Sequence, residues 1–352
     1  MSFFPSPTKR YIPAEGSTKA TIAVIGEAPG AIEEKLSRPF VGPAGSVLDQ
    51  CCHSAGVLRH NIYITNVVKE RPAGNNIEPY FDEQRMRFTE QGRACVEELI
   101  DELNKTEANI LVPAGNTALA AICGEAPPWR INRIRGYVVE PRPELSCAKA
   151  IPIIHPASVL YGGGFKKKSG DRTSPYIQRY YITNDIKKAK AEAEYPELRR
   201  PTRDLLIPSD IKNALDWLDY FNKCPRLSVD IEVVNFEISA IALADSPEQG
   251  MSFPFYHNIF DEHEETALWR AIAKPLGNKK IVKVFQNGIF DIHMLATRAG
   301  VIVEGVIEDT MIAHSVMFPE MLKSLEFLGS MYCGAQEYWK NLVKFDNIKD
   351  NS

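Results

Sequence analysis

The chain has 352 residues, 44% of them hydrophobic, and this length predicts two domains rather than one. No apolar run approaches the length of a bilayer span, and the first residues lack the layout of a signal peptide. Seven cysteines without a CxxC pair favour reduced thiols. These observations predict no membrane association and a cytoplasmic location.

Charge divides the chain into two parts. Residues 1–205 carry 28 Lys and Arg against 24 Asp and Glu, whereas residues 206–352 carry 13 against 21. The formal net charge of -4 hides this asymmetry. We interpret the halves as two modules with different roles. The basic half could contact a phosphate backbone, and the acidic half could hold divalent metals.

The first half alternates short apolar strands with amphipathic helices, after a polar stretch that predicts a loose N-terminal arm over residues 1–19. This alternation predicts a parallel sheet covered on both faces. The predicted strands are 21–26, 61–68, 109–113 and 150–155, and the predicted helices are 44–55, 82–104 and 117–123.

A charged helix over 187–203 with two prolines is typical of an interdomain linker. We therefore predict a first domain over 20–190, a linker over 191–205 and a second domain over 206–352. The second domain also has an α/β pattern. Its predicted helices are 210–222, 264–274 and 287–299, and its predicted strands are 227–233, 238–245 and 281–285.

Four motifs follow successive predicted strands of the first domain, at residues 26–33, 38–45, 63–72 and 155–160. Ligand sites of α/β sheets lie at these strand ends. Taken singly, the residues have ordinary explanations, because a strand-end Asn or His is usually a cap or scaffold and a Phe is usually core. In order, spacing and wording, however, the set resembles family 4 uracil-DNA glycosylases over about residues 20–190. The resemblance implies a three-layer αβα domain.

The resemblance also implies how a flipped deoxyuridine in DNA would be held. Phe40 would stack on the base, and the Asn66 amide would pair with uracil O4 and N3–H, a pattern that cytosine reverses. Ser46 belongs to the first turn, Pro43–Ser46, of a predicted helix whose free N–H groups suit a DNA phosphate. Val159 and Leu160 are candidates for the apolar wedge that fills the vacated stack.

The implied catalytic residues are Glu33 and His155. Glu33 would stabilise the oxocarbenium-like sugar and position water. His155 would donate to uracil O2 as the anion forms, together with the backbone N–H groups of Glu27 and Ala28. This chemistry needs no cofactor.

The cysteines depart from the family pattern. Family 4 enzymes usually carry a four-cysteine iron–sulfur cluster, but no cysteine here precedes Cys51. Glu70 stands where the third ligand is expected, and only Cys95 lies near a ligand position. One thiolate cannot hold a cluster that needs four ligands, so we predict no iron–sulfur cluster.

The second domain carries carboxylates in a metal-binding pattern. Asp230 and Glu232 share one side of a predicted strand because side chains repeat every two residues. Asp291 follows at the start of a predicted helix. A DxE pair alone is usually solvated strand charge. With the later Asp291 and an Asp-Thr-Met at 309–311, it resembles the ribonuclease H-like 3′–5′ exonuclease domain of family A DNA polymerases. The resemblance implies that the three carboxylates bind Mg²⁺ or Mn²⁺.

That family completes its site with a later Tyr-x-x-x-Asp motif on a C-terminal helix, and no such motif follows Asp291 in this sequence. Tyr332 and Tyr338 are followed four residues later by Gln336 and Leu342. The second domain is therefore expected to be a partial exonuclease domain with weak or no activity. The chain would then be truncated, or its remainder encoded separately.

The combined pattern resembles the N-terminal part of certain phage DNA polymerases. It predicts a uracil-DNA glycosylase attached to a proofreading-type module, acting on uracil-containing DNA in the host cytoplasm if phage-encoded. The partner would be a DNA polymerase polypeptide or a missing polymerase region. Two alternatives stay open: a non-catalytic uracil sensor, which could dispense with Glu33, and an exonuclease with a decayed glycosylase as a DNA clamp.

Overall fold

The structure is a computed structural model that describes residues 10–125, 130–160, 174–255 and 259–333. The chain divides into two compact units. The first unit contains the residues before Pro201 and the segment that begins at Glu326, and the second unit is Pro201–Leu325. Among the described residues, no helix is long and apolar enough to cross a membrane.

The elements of the first unit before Pro201 are β1 (Ile22–Gly26), α1 (Ala31–Leu36), α2 (Pro43–Ser54), β2 (Ile62–Asn66), β3 (Phe81–Asp82), β4 (Arg87–Phe88), α3 (Glu90–Leu103), β5 (Ile110–Pro113), α4 (Gly115–Cys123), α5 (Ile131–Ile134), α6 (Ala157–Leu160) and α7 (Pro175–Glu192). Those that follow are β6 (Asp204–Leu206), α8 (Ile211–Phe221), β7 (Arg226–Val234), β8 (Glu237–Ala244), β9 (Gln249–Pro254), α9 (Glu262–Gly277), β10 (Val282–Phe285), α10 (Ile289–Arg298), β11 (Ile307–Asp309), α11 (Thr310–Met317) and α12 (Leu325–Tyr332).

A parallel sheet of order β2-β1-β5 forms the centre of the first unit. The predicted strand 150–155 runs beside β5 through two parallel bridges, Leu111 with Ala150 and Ala114 with Ile153. Parallel pairing brings the carboxyl ends of the strands to one edge, where Gly26 of β1 lies opposite Asn66 of β2. All residues of β1 and β2 are buried, as expected for a sheet covered on both faces.

Helices cover both faces of this sheet. Ala23 and Ile25 of β1 belong to a core cluster that includes α3 and α4. Ile22 and Val24 point to the opposite face because strand side chains alternate, and α7 packs on that sheet beside α2. The α3 helix begins at Thr89, whose side chain accepts a hydrogen bond from Gly92. This layering confirms the predicted α/β class.

Three sequence predictions are wrong in detail. Residues 10–19 are not a loose arm, because Ile12 is buried and its N–H donates to the Lys69 carbonyl at 2.7 Å. The predicted helix 82–104 begins only at Glu90, after the short hairpin of β3 and β4. The predicted helix 187–203 is the end of α7, which starts at Pro175 on the Ser174 cap and stops at Glu192.

The second unit contains a six-stranded sheet of order β11-β10-β7-β8-β9-β6. Strands β7, β8 and β9 are an antiparallel meander, and β10 and β11 run parallel to β7. Three antiparallel strands followed on one side by two parallel strands is the ribonuclease H-like arrangement. The sequence prediction missed β6, β9 and β11. Residues 334–352, where Gln336, Tyr338 and Leu342 lie, are outside the described residues.

Helix α12 packs almost wholly within the first unit, although sequence reasoning placed it in the second domain. A buried ion pair of Arg135 with Asp185 lies beneath it, and the Arg135 guanidinium also donates to the Ser330 hydroxyl at 3.2 Å. Lys188 donates to the carbonyls of Ser330 and Cys333, the latter at 2.8 Å. The first unit is therefore built from two stretches of chain separated by the second unit.

We expect Asp185→Asn to lower the stability of the first unit by about 3 to 5 kcal/mol, because it leaves the buried Arg135 without its carboxylate. The matched control is Glu140→Gln. Glu140 is 60% exposed and its ion-pair partner Arg200 is 47% exposed, so this substitution should lower stability by less than about 1 kcal/mol. Urea-dependent hydrogen exchange of the β1 amides measures both changes. Equal effects of the two substitutions would contradict the buried pair's structural role.

Candidate active site

The site begins at Gly26, the last residue of β1. A Cβ atom at Gly26 would lie 2.3 Å from Oδ1 of Asn66 and 2.5 Å from two ring carbons of Phe40. Such separations are far inside van der Waals contact, so only glycine allows the amide and the ring to approach this strand end. The parallel register of β1 and β2 sets Asn66 opposite Gly26 and buries it to 5% exposure.

Phe40 occupies a strained backbone position that the surrounding residues hold. Its φ of 48° is in the left-handed region, which is unfavourable for a bulky side chain. Arg59 donates to the carbonyls of Phe40 at 3.0 Å and Pro39 at 2.8 Å, and it also binds Glu15 and Asp49. Sequence reasoning missed Arg59, because the residues around it give no sign that it supports Phe40, which lies 19 positions earlier in the chain.

Glu33 lies in the first turn of α1 with its carboxylate fixed by the backbone. Its Oε1 accepts a hydrogen bond from the Gly42 N–H at 2.9 Å. A Cβ at Gly30 or Gly42 would come within 2.9 Å of one of the carboxylate oxygens. Two glycines therefore make room for the carboxylate, and one N–H orients it.

His155 follows the 150–153 segment and is held as a neutral imidazole. Its Nδ1 accepts from the Ala157 N–H at 3.2 Å, so the ring proton resides on Nε2. Burial lowers the pKa of His155 to about 4, and the Glu33 carboxylate offsets this only in part. Its ring centroid is 6.0 Å from that of Phe40, and a Cβ at Gly115, whose φ is +87°, would lie 3.1 Å from the His155 Cβ.

A pocket of about 310 Å³ joins these side chains. Six predicted residues line it: Ala28, Glu33, Phe40, Asn66, His155 and Leu160. Sequence reasoning missed other lining residues, among them Gly30, Asn75 and Ala157. The signal for Asn75 was a Gly-Asn turn just after the third motif, but a turn residue gives no indication of facing a pocket.

Three other predicted residues do not line this pocket. The Glu27 carboxylate accepts from the Thr117 hydroxyl at 2.5 Å, and burial raises its pKa. The Ser46 N–H donates to the Gly42 carbonyl at 3.0 Å, so this N–H is not available to a phosphate. Val159 is 3% exposed whereas Leu160 is 41% exposed, which leaves only Leu160 accessible as a wedge.

The region where the family binds its cluster has a different chemistry here. Glu70 accepts a hydrogen bond from the Tyr80 hydroxyl, and the neighbouring Lys69 ammonium lies 2.6 Å from Glu102. Burial lowers the pKa of Lys69, and Glu102 opposes that shift. A carboxylate, Glu70, stands where the family has a thiolate ligand and is already bonded to Tyr80, so this position does not fit an iron–sulfur cluster.

In the second unit, Asp230 and Glu232 both lie on the exposed side of β7. Partial desolvation raises the pKa of Asp230 to about 6, and the charges of Asp291 and Glu232 add to this shift. Asp291 is 7% exposed and accepts from the Ile231 N–H at 3.2 Å. The three carboxylates thus influence one another electrostatically. Within the described ranges, however, no group of three His, Cys, Asp or Glu side chains is arranged to hold a metal.

Asp309 positions the helix that carries Asp291. Burial alone would raise the pKa of Asp309, but hydrogen bonds from four backbone N–H groups lower it. Two of these donors, Asn287 and Gly288, immediately precede α10, and the other two begin α11. Asp309 is therefore a structural link between two helix starts, with its oxygens already engaged.

Comparison with known proteins places both units. A family model described as the uracil DNA glycosylase superfamily matches residues 13–176, and one described as 3′–5′ exonuclease matches residues 206–350. The type-4 uracil-DNA glycosylase of Archaeoglobus fulgidus is 37% identical over 153 residues, which cover 43% of this chain and 72% of the relative. That of Thermotoga maritima is 32% identical over 177 residues, which cover 50% of this chain and 80% of the relative.

A third relative matches both units. The DNA polymerase of Bacillus phage SP01 is 24% identical over 345 residues, covering 89% of this chain but 34% of the polymerase. The chain thus spans about a third of that protein's length. By its fold and pocket the first unit is of the uracil-DNA glycosylase class. The chain belongs to the type-4 uracil-DNA glycosylase family, with a 3′–5′ exonuclease domain fused after it.

We expect His155 to stay neutral near pH 7 and to titrate near pH 4 by NMR. The unfolded chain takes up this proton near pH 6.5, so the folded state loses stability as the pH falls from about 6.5 towards 4. Urea unfolding at pH 7 and at pH 5 measures this loss of stability. Between these two pH values, the His155→Asn variant should lose up to about 2 kcal/mol less stability than the unaltered protein. The control is His60→Asn at an exposed position. An NMR titration of His155 near pH 6.5 would contradict the burial argument.

Proposed function

We propose that the first unit hydrolyses the N-glycosidic bond of a flipped deoxyuridine in DNA. The observation that carries this proposal is the joint lining of one pocket by Glu33, Phe40, Asn66 and His155 in a chain of the type-4 family. Each of these residue types matches one requirement of the reaction. Leu160, exposed beside the pocket, would fill the gap left by the flipped base.

Recognition of the base rests on Phe40 and Asn66. The Phe40 ring offers a face for stacking, and the Asn66 amide offers one donor and one acceptor to uracil O4 and N3–H. Cytosine presents a donor where uracil has O4 and an acceptor where it has N3–H, so a fixed amide disfavours it. Gly26 supports this role because it lets the amide and the ring meet at one strand end.

Bond cleavage separates charge, and two side chains match the two ends. As the C1′–N1 bond breaks, its electron pair leaves with uracil, and the neutral His155 Nε2–H donates to the developing O2 anion. The Glu33 carboxylate stabilises the positive sugar and orients a water, which adds its oxygen to C1′. The water proton is released and uracil is protonated by solvent. No step requires a metal.

We expect the purified chain to release uracil from DNA in the presence of EDTA. Glu33→Gln should lower the rate by about 10²–10³-fold with little change in DNA binding, because the carboxylate acts on transition-state charge. Glu97→Gln, an exposed α3 substitution, is the matched control. Near-normal turnover by Glu33→Gln would refute the assigned role.

A second candidate function is supported by the similarity to the phage polymerase across both units. In it, the first unit is a non-catalytic uracil sensor attached to a polymerase. Preferential binding of uracil-containing DNA without base release by the unaltered chain would favour this candidate. In either case we propose that the chain acts in the cytoplasm, that of the host if phage-encoded, beside a DNA polymerase polypeptide or region.

We propose that the first unit works without an iron–sulfur cluster, since Glu70 replaces a ligand cysteine and is engaged by Tyr80, and no cysteine precedes Cys51. The purified protein should be colourless and lack stoichiometric iron by elemental analysis. Cys95→Ser should leave uracil release unchanged. Iron together with broad visible absorption that Cys95→Ser abolishes would overturn the proposal.

We propose that Asp230, Glu232 and Asp291 of the second unit would be the residues that hold Mg²⁺ or Mn²⁺, and that this chain alone degrades DNA weakly or not at all. No Tyr-x-x-x-Asp that would add a ligand follows Asp291 in the sequence, and the carboxylates present do not form a ready metal group within the described residues. When single-stranded DNA is incubated in Mg²⁺ or Mn²⁺, the unaltered chain should therefore degrade it no faster than the Asp230→Ala variant does. Strong degradation that Asp230→Ala removes would contradict this expectation.

A further inference from the structure

Helix α7 carries a stripe of side chains that connects two distant parts of the first unit. The stripe consists of Gln178, Tyr181, Asp185 and Lys188, spaced by three, four and three residues, so that they lie on one face of the helix. The first three are at most 1% exposed. Gln178, at one end of the stripe, contacts α6 beside the pocket, whereas the other three side chains hold α12 directly or through Arg135.

The α12 end of the stripe combines ring packing with buried polar contacts. The Tyr181 ring meets the Phe327 ring edge to face, with the centroids 5.3 Å apart. The buried guanidinium of Arg135 donates to the Ser330 hydroxyl at 3.2 Å, and Lys188 donates to carbonyls at the end of α12. A displaced α12 would expose these groups to water, so this face of α7 keeps its position only while α12 is seated on it.

The α6 end of the stripe holds a helix that cannot hold itself. Helix α6 has four residues, and isolated helices shorter than about 12 residues are marginal in water. Its position must therefore come from tertiary contacts. The Ser158 hydroxyl donates to Oε1 of Gln178 at 2.9 Å, and Val159 is buried at 3% exposure. Leu160, at the end of α6, lines the pocket and is 41% exposed.

We propose that α12 is a positioning element of the glycosylase site: seated on α7, it holds α6 through Gln178 and so fixes Leu160 at the pocket. This inference rests on the proposed glycosylase function of the same pocket. Because α12 follows the second unit in the sequence, uracil release by the first unit depends on a segment that lies beyond the exonuclease domain in the chain.

The first test compares uracil release from double-stranded and single-stranded DNA by variants of the full chain. An apolar wedge fills a gap only in a stacked duplex, so Phe327→Ala should slow release from duplex DNA about tenfold and from single strands less than about twofold. Ser330→Ala is a milder change and should slow release from duplex DNA about threefold. Leu325→Ala is the matched control, because Leu325 lies in the same helix and is 56% exposed.

A double-variant cycle tests whether α12 acts through Leu160. Leu160→Ala alone should slow release from duplex DNA about tenfold. If Phe327→Ala acts by displacing Leu160, adding it to Leu160→Ala should slow release less than about twofold further. Three results would overturn the inference: unchanged release from duplex DNA by Phe327→Ala, equal losses on the two substrates, or losses that add in full.

Hydrogen exchange measures the position of α6 without reference to activity. The N–H groups of Ser158 and Val159 donate to the carbonyls of His155 and Pro156, respectively. Phe327→Ala should speed exchange of these two amides about tenfold relative to the β1 amides, whereas Leu325→Ala should not. Equal acceleration of α6 and β1, or none at α6, would overturn the inference.

Failure of the inference is distinguishable from failure of the proposed function. Absent uracil release by the unaltered chain would refute the proposed function. Normal release by the unaltered chain, together with any of the contradicting results above, would refute only the role of α12.

Discussion

The absence of a side chain at Gly26 is the constraint on which the candidate active site depends. The β1–β2 register brings Asn66 to this point, and the strained loop after Pro39 brings the Phe40 ring to it. Any Cβ there would overlap both groups. The pocket floor is therefore a consequence of strand pairing, and the remaining residues are arranged around a position that the sheet has already determined.

The electrostatics of the pocket suit a reaction that separates charge. One carboxylate, Glu33, is oriented by a backbone N–H, and one imidazole, His155, is kept neutral by burial. A neutral donor can support an anion without first losing a proton, and a fixed carboxylate needs little reorganisation as the sugar becomes positive. Arg59, which donates to the Phe40 and Pro39 carbonyls, is paired with Glu15 and Asp49 and so holds the backbone of this loop.

The second unit shows a contrasting use of carboxylates. Asp230 and Glu232 share the solvent-facing side of β7, where desolvation raises the pKa of Asp230 and the charges of Asp291 and Glu232 add to that shift. Asp309, in contrast, is surrounded by backbone donors and stays ionised as a helix cap. Residues of the same chemical type thus have opposite roles. The hydrogen-bond donors around each of them, which a motif does not record, make the difference.

Local patterns in the sequence determined the α/β class, most strands and helices, the glycines and polar residues at strand ends, and the placement of Asp230 and Glu232 on one face. These follow from periodicity and residue type within a few positions. Tertiary structure alone decided that Val159 is buried while the adjacent Leu160 is exposed, and that Asn75 faces the pocket. It also placed α12 in the first unit, through contacts such as Arg135 with Ser330, which are 195 residues apart. Such contacts depend on packing between distant segments, and no local pattern encodes them.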